Sequence, residues 1–200
     1  MQNLNSINTL INCFTRFPSV GYKTAERYSY YIIEQSKAEA DELVNAIRNV
    51  KSNLKLCKCC GNFTIDDVCQ VCLERESPNA ICVVSHPREI LIIEKAKAFS
   101  GAYHCLHGTL SPLDRRGPEQ LNIKPLLSRL HSNKNIKEVI IALSLDVEGE
   151  ATANYLANLI KMTYNDMVVS RLATGISMGS SLEYADAATL SNAIRNRRAI

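Results

Sequence analysis

Apolar residues recur at the spacing of one helix face through the first quarter of the chain. Leu4, Ile7, Leu10, Ile11 and Phe14 form one such series, and Leu43, Val44, Ile47, Val50 and Leu54 form another. Between them Phe17-Pro18-Ser19-Val20-Gly21 reads as a tight turn, and Lys23-Thr24-Ala25-Glu26-Arg27 opens a further helix. Residues 1–56 are therefore expected to be helical. From Ala80 the pattern changes to short apolar runs: Ile81-Cys82-Val83-Val84, Tyr103-His104-Cys105-Leu106, Val139-Ile140-Ile141-Ala142-Leu143 and Met167-Val168-Val169. Amphipathic stretches such as 90–99 and 152–164 lie between most of them, which predicts an α/β fold with a parallel sheet covered on both faces. The tail, 187–198, reads as a last helix ending in Arg195, Arg197 and Arg198.

Four cysteines separate the two patterns. Cys57-x-x-Cys60 and Cys69-x-x-Cys72 are two knuckles eight residues apart, each able to aim two thiolates at one point, so together they complete a tetrahedron of sulfur. The expected occupant is one Zn2+ per chain, structural because four sulfurs leave no position for water. Gly61 suits the sharp turn of the first knuckle. Cys59 falls outside the register and is read as a bystander, while Cys13, Cys82 and Cys105 sit in apolar runs as small core residues. Residues 74–79 read as a short polar linker.

The bulk properties narrow the chemistry. The chain has 200 residues, 46% of them hydrophobic and 22% charged, with a formal net charge of +3. That excludes a polycation coating nucleic acid indiscriminately, so a nucleic-acid site would be local or shared among several copies. The N-terminus does not read as a signal peptide, and no stretch is apolar enough for a membrane span. A cytoplasmic location is expected, where eight cysteines point to metal or chemistry rather than to disulfides.

The turn and its helix, Phe17-Pro18-Ser19-Val20-Gly21-Tyr22-Lys23-Thr24-Ala25, resemble the helix-hairpin-helix motif, with Ser19 where that motif usually carries glycine. A turn leading into a helix N-terminus exposes backbone N–H groups that cradle a phosphate without reading bases. Lys23 and Arg27, four apart on one face, are the candidate DNA contacts. After the third apolar run comes Ser144-Leu145-Asp146-Val147-Glu148-Gly149-Glu150, placing acids where a parallel sheet puts its sites. This segment resembles the Toprim fold of type IA topoisomerases, primases and certain nucleases. Two positions where that fold carries carboxylates hold Ser85 and Ser144, which argues against magnesium-dependent strand chemistry. Asp146, Glu148 and Glu150 stay open as a partner-docking surface, a weak Mg2+ site, or acids favoured at a helix N-terminus.

A helix-hairpin-helix region (1–56), a C4 zinc finger (57–72), a Toprim-like domain (80–175) and a C-terminal segment (176–200), in that order, resemble the RecR family of bacterial recombination mediators. Phe99-Ser100-Gly101-Ala102-Tyr103, Leu110-Ser111-Pro112-Leu113-Asp114, 147–155 and Leu182-Glu183-Tyr184-Ala185-Asp186 also carry the resemblance. It implies a non-enzymatic role: a homotetrameric ring on gapped DNA that acts with RecO, and sometimes RecF, to help RecA displace single-strand-binding protein. The alternative is a magnesium-dependent Toprim nuclease or topoisomerase.

Overall fold

The computed structural model describes residues 2–197, so Arg198 lies outside the described residues. The chain divides into two compact units, Met1–Leu54 and Lys55–Ile200.

The first unit holds α1 (Gln2–Phe14), α2 (Tyr22–Glu34) and α3 (Lys37–Asn53). Helices α1 and α2 pack together, burying Ile11 of α1 and, one turn apart on α2, Ala25 and Ser29. The Ser29 hydroxyl donates to the Ala25 carbonyl at 2.9 Å, which satisfies it inside the contact. Cys13 is exposed, contrary to the core position expected for it. Two residues on from Ile11 is about 200° around a helix, so an apolar run alone does not bury every member. Ser36 and Glu39 form a reciprocal capping box that starts α3. None of the α3 residues is buried, although Leu43, Val44, Ile47, Val50 and Leu54 form the predicted stripe.

The second unit begins with a two-stranded ribbon, β1 (Lys55–Leu56) and β2 (Phe63–Thr64), and a short helix, α4 (Gln70–Glu74). There follow β3 (Ala80–Val84), α5 (Pro87–Ala96), β4 (Ala102–Cys105), α6 (Ile123–Ser132), β5 (Glu138–Ile141), α7 (Val147–Thr163), β6 (Val168–Arg171) and α8 (Ala187–Arg195). The four strands β3–β6 form one all-parallel sheet in the order β4-β3-β5-β6. The pleat sorts their side chains. Ile81, Val83, Val139 and Ile141 join Leu126 and Leu130 of α6 and Leu156 and Ile160 of α7 on one face. Cys82, Val84, Tyr103 and Cys105 meet Ile90 of α5 on the other, with Val71 of α4 against them. Leu156 and Ile160 have no exposed surface, so cutting either to alanine costs about 2–5 kcal/mol. Helix α7 begins earlier than the amphipathic pattern alone implies. Asp146 caps it by accepting from the Gly149 amide at 2.7 Å. No helix among the described residues is long and apolar enough to cross a membrane.

Candidate functional site

Two loops carry the four cysteines, and their own hydrogen bonds shape them. The Gly61 amide donates to the Cys57 carbonyl at 2.9 Å, and the Cys57 amide to the Asn62 carbonyl at 2.7 Å, closing the first knuckle. Gly61 has a φ of +76°, and a Cβ there would stand 2.8 Å from Nε2 of His107, so any other residue would be strained and would have to displace that imidazole. Asp67 joins the loops by accepting from Lys55 at 2.8 Å and Lys58 at 2.6 Å. Those lysine hydrogen bonds hold its carboxyl down at a pKa of about 2. The sulfurs of Cys57, Cys60, Cys69 and Cys72 consequently lie within 4.8 Å of one another, three of the four residues buried.

The donor set fits a metal ion. Backbone amides point at two of the sulfurs, Asn62 at Cys60 (3.4 Å) and Cys69 at Cys57 (3.3 Å). Burial works against the Cys57 thiolate, but the amides of Cys69, Cys60 and Cys59 outweigh it and bring the pKa to about 7. Cys59 packs against the cluster but is not one of the four converging sulfurs. Its hydrogen bond to Cys72, and then burial, push its thiol up and keep the proton on. The four cysteines can therefore hold a metal ion in a closed sulfur shell.

This module is fastened to the sheet. The Cys105 amide at the end of β4 donates to the Cys60 carbonyl at 2.7 Å, and Val71 packs against both the cysteine cluster and the α5 face. Arg75 is no solvated linker residue. It pairs with both carboxylate oxygens of Glu94 at 2.9 Å, donates to the Gly101 carbonyl at 2.7 Å, and lies over the Tyr103 ring. Tyr103 in turn donates to Glu94 at 2.5 Å. The polar composition of 74–79 concealed this anchor, since an arginine's partners lie far away in sequence.

In the first unit, Ser19 occupies the left-handed region with φ +63°, which explains why the motif it resembles favours glycine there. Gly21 is the N-cap of α2, and no side chain caps that helix start. Lys23 and Arg27 both lie exposed, about opposite the buried Ala25/Ser29 face. The Arg27 guanidinium lies 5.8 Å from the Tyr28 ring centre, and Tyr28 packs edge-on against Phe14. This chain of contacts ties the cation to the small core of the hairpin.

The acids at the carboxyl end of the sheet do not converge. Among the described residues, the cysteine cluster is the group of metal-ligating side chains that comes together. Asp146 caps α7. Glu148 accepts from Thr109 at 3.0 Å and Ser111 at 2.6 Å, anchoring the loop after β4. Glu150 accepts from both terminal nitrogens of Arg171, at 2.9 and 2.5 Å, which lowers its pKa. Ser85 is buried and donates to Glu89 at 2.8 Å, and the Ser85 and His86 amides donate to the same carboxylate. Glu89 escaped the reading of the strand ends. The available signal was Glu three residues after His86 with Pro87 between, the spacing of a capping box.

Comparison with known families agrees with the hairpin, the sheet and the C-terminal segment. Residues 7–51 match the RecR helix-hairpin-helix family, 79–173 the Toprim domain and 175–198 the RecR C-terminal family. The chain is similar to the recombination protein RecR of Lacticaseibacillus casei (strain BL23), 44% identical over 198 residues and 98% of each chain. It is similar to that of Clostridium perfringens (strain 13 / Type A), 42% identical over 98% of this chain and 97% of the relative. It also resembles that of Enterococcus faecalis (strain ATCC 700802 / V583), 43% identical over 97% of each. With three matched segments in order and 44% identity along essentially the whole length, the chain belongs to the RecR family of recombination proteins.

Proposed function

We propose that this chain is a DNA-binding recombination mediator that acts with RecO, and with RecF where present, as a clamp on gapped DNA to promote RecA loading. The observation that carries the reading is the start of α2. A tight turn leads into a helix end with no side-chain cap, and Lys23 and Arg27 project on its solvent face. Such a surface suits phosphate and carries no base readout, so binding is sequence-independent and salt-sensitive. The test is DNA affinity of wild type against Lys23→Ala/Arg27→Ala across a salt series. Loss of two phosphate contacts lowers the salt slope by about 2. An unchanged affinity and slope would refute the assignment.

The remaining parts follow from this reading. Residues 1–56 grip DNA, 57–72 hold one structural Zn2+, 80–175 form the sheet domain and 176–200 the C-terminal segment. Four like copies would form a ring, because +3 per chain is weak alone but adds up around a lumen. The exposed α3 stripe of Leu43, Ile47, Val50 and Leu54 supports self-association. Exposed Leu145 and Val147 beside Asp146 and Glu150 supply an amphipathic docking surface for the partner protein. The role is non-catalytic, and the setting is the cytoplasm, at the nucleoid.

A further inference from the structure

Helix α2 carries more than two cations on its outer face. Lys23, Glu26, Arg27, Tyr30, Tyr31 and Glu34 line one shallow depression of about 600 Å³. Their spacing places them along one stripe, opposite the Ala25/Ser29 contact that α2 makes with α1. Tyr30 is 49% exposed and Tyr31 60% exposed. About half of each residue's surface therefore lies in solvent, and the rings are not held in the core of the hairpin. Tyr28, by contrast, is engaged by Phe14 and Arg27.

We infer that Tyr30 and Tyr31 form a stacking platform for unpaired bases of single-stranded DNA, next to the phosphate contacts at Lys23 and Arg27. The inference rests on the DNA-binding reading of that helix start. Seven residues of helix separate Lys23 from Tyr30, an axial distance of about 10 Å. A strand whose phosphate sits at the uncapped start of α2 brings its next bases over the tyrosines. Every base offers a π-face, so the contact is tolerant of sequence, in keeping with a site that reads no base edges. Closed duplex cannot use it, because its bases already stack on one another and present only their edges. The charges agree in polarity: the cations lie at the turn end, and Glu34 ends the stripe, so the backbone is attracted at one end and discouraged beyond the tyrosines. Glu26 lies between, and its repulsion is offset by Lys23 and Arg27 on either side.

The experiment uses the full chain and three fluorescent probes of equal length: closed duplex, duplex with a short gap, and the same duplex with abasic sites across the gap. Wild type is expected to prefer the base-bearing gap over both others. Tyr30→Leu/Tyr31→Leu, which keeps apolar bulk, is expected to lose about tenfold or more on that probe alone, and Tyr30→Phe/Tyr31→Phe to keep the preference. A gap preference that survives the leucine substitutions, or an abasic gap bound as tightly as an intact one, overturns the platform. So does a leucine variant whose sedimentation differs from wild type, since a second copy of the chain would then cover the face. Lys23→Ala/Arg27→Ala separates the two readings. It is expected to weaken all three probes; if it weakens none while the tyrosine effect persists, the hairpin assignment fails and the platform stands.

Discussion

Replacing Glu148 by alanine tests whether the acidic loop is structural. The carboxylate accepts from the Thr109 hydroxyl at 3.0 Å and from the Ser111 hydroxyl at 2.6 Å, and Ser111 has no exposed surface. A hydrogen bond to a charged acceptor contributes about 1.5–3 kcal/mol, and a buried hydroxyl donor left without an acceptor costs about 1–3 kcal/mol, although the Ser111 oxygen would still accept from the Asp114 amide at 3.2 Å. The loop retains other anchors, among them the Leu110 amide donating to Thr152 at 2.8 Å and the Gly108 amide donating to the Ser85 carbonyl at 3.0 Å, so the two losses do not add in full. The expected cost of Glu148→Ala is about 3 kcal/mol. For a chain of this size that lowers the melting temperature by about 6–12 °C. Glu148→Gln keeps an acceptor for one hydroxyl and offers a donor to the other, so about 1 kcal/mol is expected. Hydrogen exchange should also speed up at Ser111 and Arg116, whose backbones exchange hydrogen bonds of 3.0 and 2.8 Å across the loop. An alanine variant that melts with wild type, with unchanged exchange at those amides, would refute the reasoning.

His104 supplies a pH dependence. Its Nε2 donates to the Asn122 carbonyl at 2.7 Å, Nδ1 finds no partner among the described residues, and burial depresses the pKa to about 4. The unfolded chain binds the proton first, so this stabilisation is complete above about pH 6.5 and is lost as pH falls towards 4, about 3 kcal/mol in all. Melting curves across that window should flatten in His104→Phe; an unchanged slope would exclude His104 as the source. Ser19→Gly relieves a left-handed non-glycine residue and should slow exchange in α1 and α2, a gain of about 1 kcal/mol, whereas Ser19→Val should do the opposite. Elemental analysis should find one metal ion per chain in wild type and in Cys59→Ser, but not in Cys57→Ser, which should lose solubility before DNA affinity. A Cys59→Ser protein without metal would place that thiol among the ligands.

Periodicity and spacing were sufficient for the three N-terminal helices and the four parallel strands, but not for the ribbon. Lys55 and Leu56, read as the end of the helical stretch, pair as a strand with Thr64 and Phe63, and two residues are too few to show a period. The paired CxxC knuckles predicted a convergence that the loops deliver, because ligand geometry is local and encoded in short intervals. Apolar spacing predicted α3 as a helix but could not say that its stripe stays exposed in the chain, since a pattern shows a face and not what covers it. Cys13 failed for a related reason: composition marks an apolar neighbourhood, and only the helix angle decides which member turns inward. Partners distant in sequence were invisible. Arg75 with Glu94 and Glu148 with Ser111 depend on how strands and loops assemble, and no local rule predicts them.

Those long-range bonds decide what the sheet end can do. A parallel sheet gathers acids at its carboxyl edge, and such acids can bind a metal only if their lone pairs are free and aimed at one point. Here Glu89 accepts from two amides and a hydroxyl, Asp146 from an amide, Glu148 from two hydroxyls, and Glu150 from a guanidinium. Each carboxylate fastens a different segment: the starts of α5 and α7, the loop after β4, and the end of β6. Bringing them onto one ion would release those segments together, at a cost of several charge-assisted hydrogen bonds. Gly149 closes the alternative of moving the loop instead. A Cβ there would stand 2.1 Å from the Ser144 carbonyl oxygen, so the first turn of α7 already presses on the strand end with no room to shift inward. The same acids that could hold a metal by their position in the sequence thus act in the fold as anchors of four separate segments.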